Sequence, residues 1–310
     1  MIKNNVPTLV KVCLMLLPLV LFKSIAADYS TPLKTLDNQT TSLSKFVGSK
    51  PVYVKFWASW CKPCMQEMPH LQESFDKYEN SVHVLAVNID LNETDENIQS
   101  VVEKFGLTLP IYKDDNARLA RELEFIGTPY HVLIDKDGDV VHKGNAANEE
   151  LNRKLHILAQ QQQNKLPTIT LQSAAGITQH LTFNNDSYTA LYLTSTWCDW
   201  YLEDTRPIMS KACIDGQHKI NQMAKDNRNI HWQLLANHLW TASSDLKAYV
   251  DKYKIKIPAD VDTNGDAFFS FKVKTLPTLI LFKGAKVIGR TSDVNDFEDL
   301  IQRLSNLSTE

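Results

Sequence analysis

The chain has 310 residues, 43% of them hydrophobic and 22% charged, with a formal net charge of −3. Such a length exceeds one ordinary core and calls for two folded units of roughly 100–150 residues each, while the acidic balance argues against nucleic acid as a partner. Five cysteines in a chain this long are too sparse for a disulfide scaffold and must serve something local.

In chain order, Lys3 and Lys11 precede the apolar run 12–22, and Ser24-Ile25-Ala26-Ala27 follows with small residues. This reads as an export signal covering 1–27, cleaved near Ala26 or Ala27, which places the mature protein in the periplasm. The run, interrupted by Pro18, is short of the ~20 residues that span a bilayer; the alternative is an uncleaved inner-membrane anchor with the rest facing the periplasm. Cleavage removes Lys3, Lys11 and Lys23 and no acid, taking the net charge to −6, and carries Cys13 away. Cys61, Cys64, Cys198 and Cys213 remain.

Residues 33–43 read as two short strands around Asp37-Asn38. The β-branched and aromatic run 52–58 reads as a strand buried on both faces. A helix over 63–78, a second buried strand over 82–89, and helices over 95–105 and 116–125 follow. A hairpin of strands 131–135 and 140–143 turns at Lys136-Asp137-Gly138-Asp139, and a last helix covers 148–161. Strands alternating with helices predict a mixed α/β sandwich. The aperiodic stretch 160–165, ending at Pro167, reads as helix end plus linker, so the domains are expected at 28–163 and 164–310.

The second half repeats the first. Pro110 and Pro129 are nineteen residues apart, as are Pro258 and Pro277. Gly127-Thr128-Pro129 stands beside Thr275-Leu276-Pro277, Asp137-Gly138 beside Lys283-Gly284, and the strand running into Trp197-Cys198 mirrors the one running into Trp60-Cys61. The expected architecture is a tandem of one fold.

The chemistry concentrates at Trp60-Cys61-Lys62-Pro63-Cys64. A thiolate attacks a disulfide; at an unperturbed pKa of ~8.5 little is present at neutral pH, and a shift to ~7 makes it about half. Cys61 precedes the helix expected from Pro63, whose unpaired amides favour its anion, and Lys62 adds a cation. Pro63 fits the first turn, where its missing N–H costs nothing. Cys61 is the expected attacking sulfur and Cys64 the resolving thiol. Glu67, one turn on, either takes the Cys64 proton or is a solvated helix glutamate. Pro69 should kink the helix. Thr128-Pro129, between a glycine and a strand, is a candidate peptide-binding edge. A four-cysteine zinc site conflicts with the wide Cys198–Cys213 spacing, so no metal and no cofactor are expected.

The combination of residues 56–64, Glu67-Met68-Pro69 and Gly127-Thr128-Pro129 resembles the thioredoxin superfamily, specifically its exported TlpA/ResA-like branch, over roughly 31–160. That resemblance implies tandem thioredoxin-like folds, with the second degenerate, and a thiol-disulfide oxidoreductase that keeps partner cysteines reduced, for example during cytochrome c maturation. It also implies that Glu67 is the active-site acid, that the Thr128-Pro129 bond is cis and that Thr128 contacts substrate. Lys55 departs from the pattern: six residues before Cys61, thioredoxin has a buried acid and this branch usually a neutral amide. A lysine in a buried strand either pairs with Glu67 or Cys64, favouring thiolate, or lays its stem over the core and exposes its amine.

In the second half, Trp197-Cys198-Asp199-Trp200-Tyr201 puts Tyr201 where the resolving cysteine should stand, and acidic Asp199 works against a Cys198 thiolate. Pro207, nine residues after Cys198 where Pro69 is eight after Cys61, suggests a one-residue rearrangement of the helix start. Bridging Cys198 to Cys213 would contribute ~3 kcal/mol, but a straight helix would hold them ~22 Å apart; structural disulfide, two free thiols and a redox relay all stay open. A peroxidatic pattern wants proline seven residues and Thr or Ser three residues before the cysteine; Leu191 before Cys198, and Val54 and Ala58 before Cys61, fail it. Trp200, Trp232 and Trp240 read as core and docking face.

The expected function is disulfide exchange through Cys61 and Cys64 with cysteine-containing exported proteins, fed by a membrane or periplasmic thiol donor. The alternative is a non-catalytic binding protein or chaperone with a static disulfide. Lys62 makes the pair more oxidising, whereas the resemblance implies reduction.

Overall fold

The computed structural model of the chain describes residues 28–183 and 187–307; the expected export signal at 1–27 lies outside the described residues. The first half runs β1 (Pro32–Thr35), β2 (Thr40–Ser42), β3 (Val52–Trp57), α1 (Lys62–Gln66), α2 (Met68–Tyr78), β4 (His83–Asn88), α3 (Asp95–Phe105), β5 (Ile111–Lys113), α4 (Arg118–Glu122), β6 (Tyr130–Ile134), β7 (Val140–Gly144) and α5 (Glu149–Gln162). The second runs β8 (Thr170–Ser173), β9 (Thr178–His180), β10 (Tyr188–Thr194), α6 (Pro207–Asp226), β11 (Ile230–Asn237), α7 (Ser243–Tyr253), β12 (Ala259–Asp262), α8 (Asp266–Ser270), β13 (Thr278–Lys283), β14 (Lys286–Thr291) and α9 (Phe297–Leu307).

Two seven-stranded sheets form among the described residues, ordered β2-β1-β5-β4-β3-β6-β7 and β9-β8-β12-β11-β10-β13-β14. The second order is the first with every strand advanced by seven. Strand directions agree as well: β3, β4 and β5 are mutually parallel, as are β10, β11 and β12, and β6 and β13 run antiparallel to their central neighbours. The halves are a tandem of one thioredoxin-like mixed α/β fold.

The central strand β3 is buried at all six positions, and alternation divides its side chains between two cores. Tyr53 and Trp57 pack with Met68, Leu71, Val101 and Leu155 from α2, α3 and α5. Val52, Val54 and Phe56 pack with Leu119, Leu123 and Val132 on the α4 side. Burying one such side chain contributes about 1.5–3 kcal/mol, so the strand is fixed in register before any polar group on it is considered. Side-chain caps start the flanking helices: Thr94 accepts from the Asn97 amide and Asn148 from the Leu151 amide.

The single helix expected over 63–78 is two. Glu67, at φ −97° and ψ −1°, separates α1 from α2, because Pro69 in the first turn of α2 cannot donate back into the preceding turn. The helix expected over 116–125 shortens to Arg118–Glu122. Strands β5, β8 and β9, of three or four residues, were too short to show a period of two.

The halves meet through charged and polar contacts. Lys272 Nζ forms ion pairs with Asp135 and Asp137, Lys274 Nζ lies 2.8 Å from Asp139 Oδ2, and Gln161 Nε2 donates to Ser270 O at 2.8 Å. No described helix is long and apolar enough to cross a membrane.

Candidate active site

The loop before α1 is pinned from outside. Ser59 donates from its amide and its hydroxyl to the Glu93 carboxylate, each at 2.8 Å, and the Trp60 Nε1–H donates to Asp90 at 2.8 Å. The Trp60 ring itself is 66% exposed. Cys61 is the N-cap of α1, with extended backbone, and its Sγ accepts the Cys64 amide at 3.2 Å. Cys61 is disulfide-bonded to Cys64 with a Cα–Cα distance of 5.2 Å, and both are buried. Lys62 and Pro63, between them, face solvent. One orphan amide of the helix start thus meets the more N-terminal sulfur, where it favours negative charge.

Glu67, whose amide donates to Cys64 O at 3.1 Å, anchors a hydrogen-bonded chain assembled from three elements. Lys55 and Tyr53 share one face of β3, and in the β3–β6 pairing Lys55 stands opposite His131, so all three side chains point the same way. Lys55 Nζ donates to Glu67 Oε2 at 2.6 Å, and His131 Nε2 lies 3.1 Å from the same oxygen. Glu67 Oε1 accepts the Ala147 amide at 3.0 Å. The Tyr53 hydroxyl is 2.8 Å from His131 Nδ1. The Lys55 and His131 side chains are fully buried and Glu67 is 20% exposed, so Lys55 pairs with Glu67 rather than exposing its amine.

Burial alone would raise the Glu67 pKa, but hydrogen bonds from His131, Lys55 and the Ala147 amide, with the Lys55 charge, hold it down to about 2. Burial lowers Lys55, opposed by Glu67. Burial also lowers His131, with Glu67 pulling upward and the Lys55 charge downward, so the imidazole is neutral near pH 7. Burial pushes the Tyr53 phenol well up.

The Thr128-Pro129 bond is cis. Asn145 Nδ2 donates to Gly127 O at 2.8 Å and to Pro129 O at 2.9 Å, holding the loop from both sides. Thr128 is half-buried, and β6 begins directly after Pro129, which couples this loop to His131.

The structure therefore gathers Cys61, Cys64, Glu67 and Lys55 into one site. It adds Tyr53, His131, the Ala147 amide and Asn145, which sequence reasoning missed. The pointer to His131 was present: once 131–135 is paired antiparallel with the central strand, a histidine two residues after Pro129 falls across from Lys55. Asn145 had no such pointer, because its partners are backbone carbonyls across a loop.

The second half keeps the frame without these groups. Leu276-Pro277 is cis as well, but Tyr192 stands six residues before Cys198 where Lys55 would be, and Leu279 stands two after Pro277 where His131 would be. Cys198 and Cys213 are bridged, with Cα atoms 6.2 Å apart, and are packed with Leu202, Trp197, Met209 and Leu276. The break in the helix that such a bridge requires is present: residues 196–205 form turns, α6 starts only at Pro207, and the chain folds back to bring Cys198 over the second turn of α6. The expected one-residue rearrangement at Pro207 is for the same reason an entire lost turn of helix. Asp199 is buried and accepts from Lys252 at 2.7 Å and from the Tyr253 hydroxyl. Trp232 is core, whereas Trp200 and Trp240 are 60% and 65% exposed.

Residues 17–158 match the family described as Redoxin. A thiol-disulfide oxidoreductase ResA from Bacillus thuringiensis subsp. konkukian is 36% identical over 123 residues, covering 39% of this chain and 69% of the relative. The chain belongs to the thioredoxin superfamily, in its TlpA/ResA-like branch. The thioredoxin-like protein YneN of Bacillus subtilis is 33% identical over 135 residues, covering 43% of this chain and 77% of its own. The crystal structure of StoA from Bacillus subtilis aligns with 37% of this chain and 85% of its own, at 26% identity and a TM-score of 0.33. As a TlpA/ResA-like protein, the chain is an oxidoreductase that carries out thiol-disulfide exchange.

Proposed function

We propose that the chain reduces disulfides in cysteine-containing exported proteins, in the periplasm, with Cys61 as nucleophile and Cys64 as resolving thiol. The Cys61 thiolate attacks one sulfur of the substrate disulfide, forming a mixed disulfide and releasing the other substrate sulfur as a thiolate. Cys64, deprotonated, then attacks Cys61 Sγ, breaks the mixed disulfide and closes the Cys61–Cys64 bond. Two electrons pass to the substrate, and a membrane or periplasmic dithiol returns them. Thr128 and Pro129 offer the substrate chain its edge, with the helix-start amides behind Cys61 and the exposed Trp60 at the mouth.

The observation that carries this reading is the Cys64 amide donating to Cys61 Sγ at a helix N-terminus, one turn before a paired, half-buried carboxylate that no static disulfide needs. The second half, with its disulfide fully buried, supports the first or holds a partner. Cytochrome c maturation is the setting to test first. Turnover in an insulin-reduction assay decides the reading: wild type no faster than Cys61→Ser leaves only a binding protein. The reduction potential of the Cys61/Cys64 couple decides direction, since a value as oxidising as those of dedicated disulfide donors would reverse it.

A further inference from the structure

Glu67 is surrounded by donors. Oε2 receives the Lys55 ammonium and the His131 Nε2, and Oε1 receives the Ala147 amide. The Tyr53 hydroxyl lies 2.8 Å from His131 Nδ1 and Nε2 lies 3.1 Å from Glu67 Oε2; opposite a carboxylate, the matching tautomer carries its proton on Nε2 and accepts the Tyr53 O–H at Nδ1. A carboxylic acid at this position would need a lone pair to receive its O–H. At Oε2 the Lys55 ammonium, 2.6 Å away, can only donate, and neutralising Glu67 would strand the Lys55 charge inside the sheet.

We propose that Lys55 and His131 keep Glu67 a carboxylate throughout the exchange cycle, so that Glu67 is a charged positioning residue and not the acceptor of the Cys64 proton. This inference rests on Cys61 and Cys64 being the exchanging pair. The proton goes instead to the substrate thiolate that the first attack releases. Cys64–SH and RS⁻ become Cys64–S⁻ and RSH, and Cys64–S⁻ then displaces the remaining substrate sulfur from Cys61 as R′S⁻. No charge need build up or vanish on the carboxylate.

The other titratable groups on this side do not undo the assignment. The charge of His70 on α2 lowers His131, and His131 in turn lowers His142 on β7, so neither adds a proton acceptor at Glu67. Glu150 and Lys154 on α5 pair with each other at 2.6 Å and act on His142.

The test reads the carboxylate directly. In the full chain with carbon-13 at the glutamate carboxyls, Glu67 is assigned by the signal missing from Glu67→Gln and followed from about pH 4 to about pH 8, oxidised and reduced. The expected result is a Glu67 shift flat across that window in both redox states. A titration step in the reduced protein overturns the proposal. Lys55→Met and His131→Phe each should bring a step into the window, and a flat trace in both overturns the role given to those residues; should either variant fail to fold, the wild-type trace still decides. Insulin reduction by wild type against Cys61→Ser, run on the same samples, separates the outcomes: lost turnover contrast overturns the proposed function, whereas a titrating Glu67 with intact contrast overturns this inference alone.

Discussion

Lys55 and His131 face each other across the β3–β6 pair and share a single acceptor, Glu67 Oε2. One is a cation buried in a central strand, the other an imidazole that burial keeps neutral, and the carboxylate between them ties both to the break separating α1 from α2. Breaking a buried pair leaves an uncompensated charge and costs far more than an exposed pair contributes.

That arrangement gives stability a defined pH dependence. Glu67 has its folded pKa depressed from 4.5 to about 2, so the stability it lends is complete above its ordinary value and drains as pH falls toward the folded one. His131 is depressed from 6.5; below that value the unfolded chain takes up a proton that the folded chain refuses, so it too destabilises the fold on acidification. Glu67→Gln should lower stability by roughly 3 kcal/mol near neutral pH, with the gap to wild type closing below about pH 4.5. Urea denaturation across this range checks it, and a gap independent of pH contradicts it.

Removing either sulfur of the pair should have unequal consequences. Cys61→Ser should lose insulin reduction by roughly 10³-fold or more, since members of a catalytic unit fail together. Cys64→Ser should attack but not resolve, accumulating a mixed disulfide with a peptide substrate that mass spectrometry detects as an adduct on Cys61. No adduct on Cys64→Ser would assign the attack to the wrong sulfur.

The second disulfide should matter for stability and not for turnover. Replacing Cys198 and Cys213 together by serine opens a loop of separation 15 and should cost about 3 kcal/mol, read by tryptophan fluorescence during denaturation. Insulin reduction should stay within about twofold of wild type. A large fall in turnover with unchanged stability would make this bridge part of the electron path.

Asn145→Ala removes both hydrogen bonds that hold the Gly127 and Pro129 carbonyls. The expected cost is about 1–2 kcal/mol in stability, with a rise in KM for a disulfide peptide larger than any fall in kcat. An unchanged KM would mean that the loop needs no clamp to receive substrate.

The duplication, the alternation of strands and helices in the first unit and the cysteine pair were legible because each rests on local pattern: repeated proline spacing, continuous apolar strands, and a helix start next to a thiol. Lys55 was visible as an anomaly, since a lysine inside an otherwise apolar strand violates alternation on both faces, but its partner depended on where Glu67 turned after the helix broke. His131 and Tyr53 acquire meaning only from register, which is a property of two strands at once. The Cys198–Cys213 bridge stayed one of three open alternatives because the sequence from 197 to 206 shows no glycine and no proline to announce that the helix is lost; Pro207 marks only where it resumes.

The contact between Lys272 and the β6–β7 turn bears on how the protein can be taken apart. Asp135, whose side chain is 3% exposed, folds its turn by accepting the amides of Asp137 and Asp139 at 2.9 and 3.0 Å. Its ion-pair partner Lys272, and the Lys274 that meets Asp139, come from beyond the linker 163–169 that joins α5 to β8. A fragment ending at that linker keeps every exchange residue yet presents three carboxylates on one short turn with both cations amputated. Such a fragment inherits a local charge imbalance at the far end of the strand that carries His131, and its behaviour in isolation would misrepresent the intact molecule most at low ionic strength.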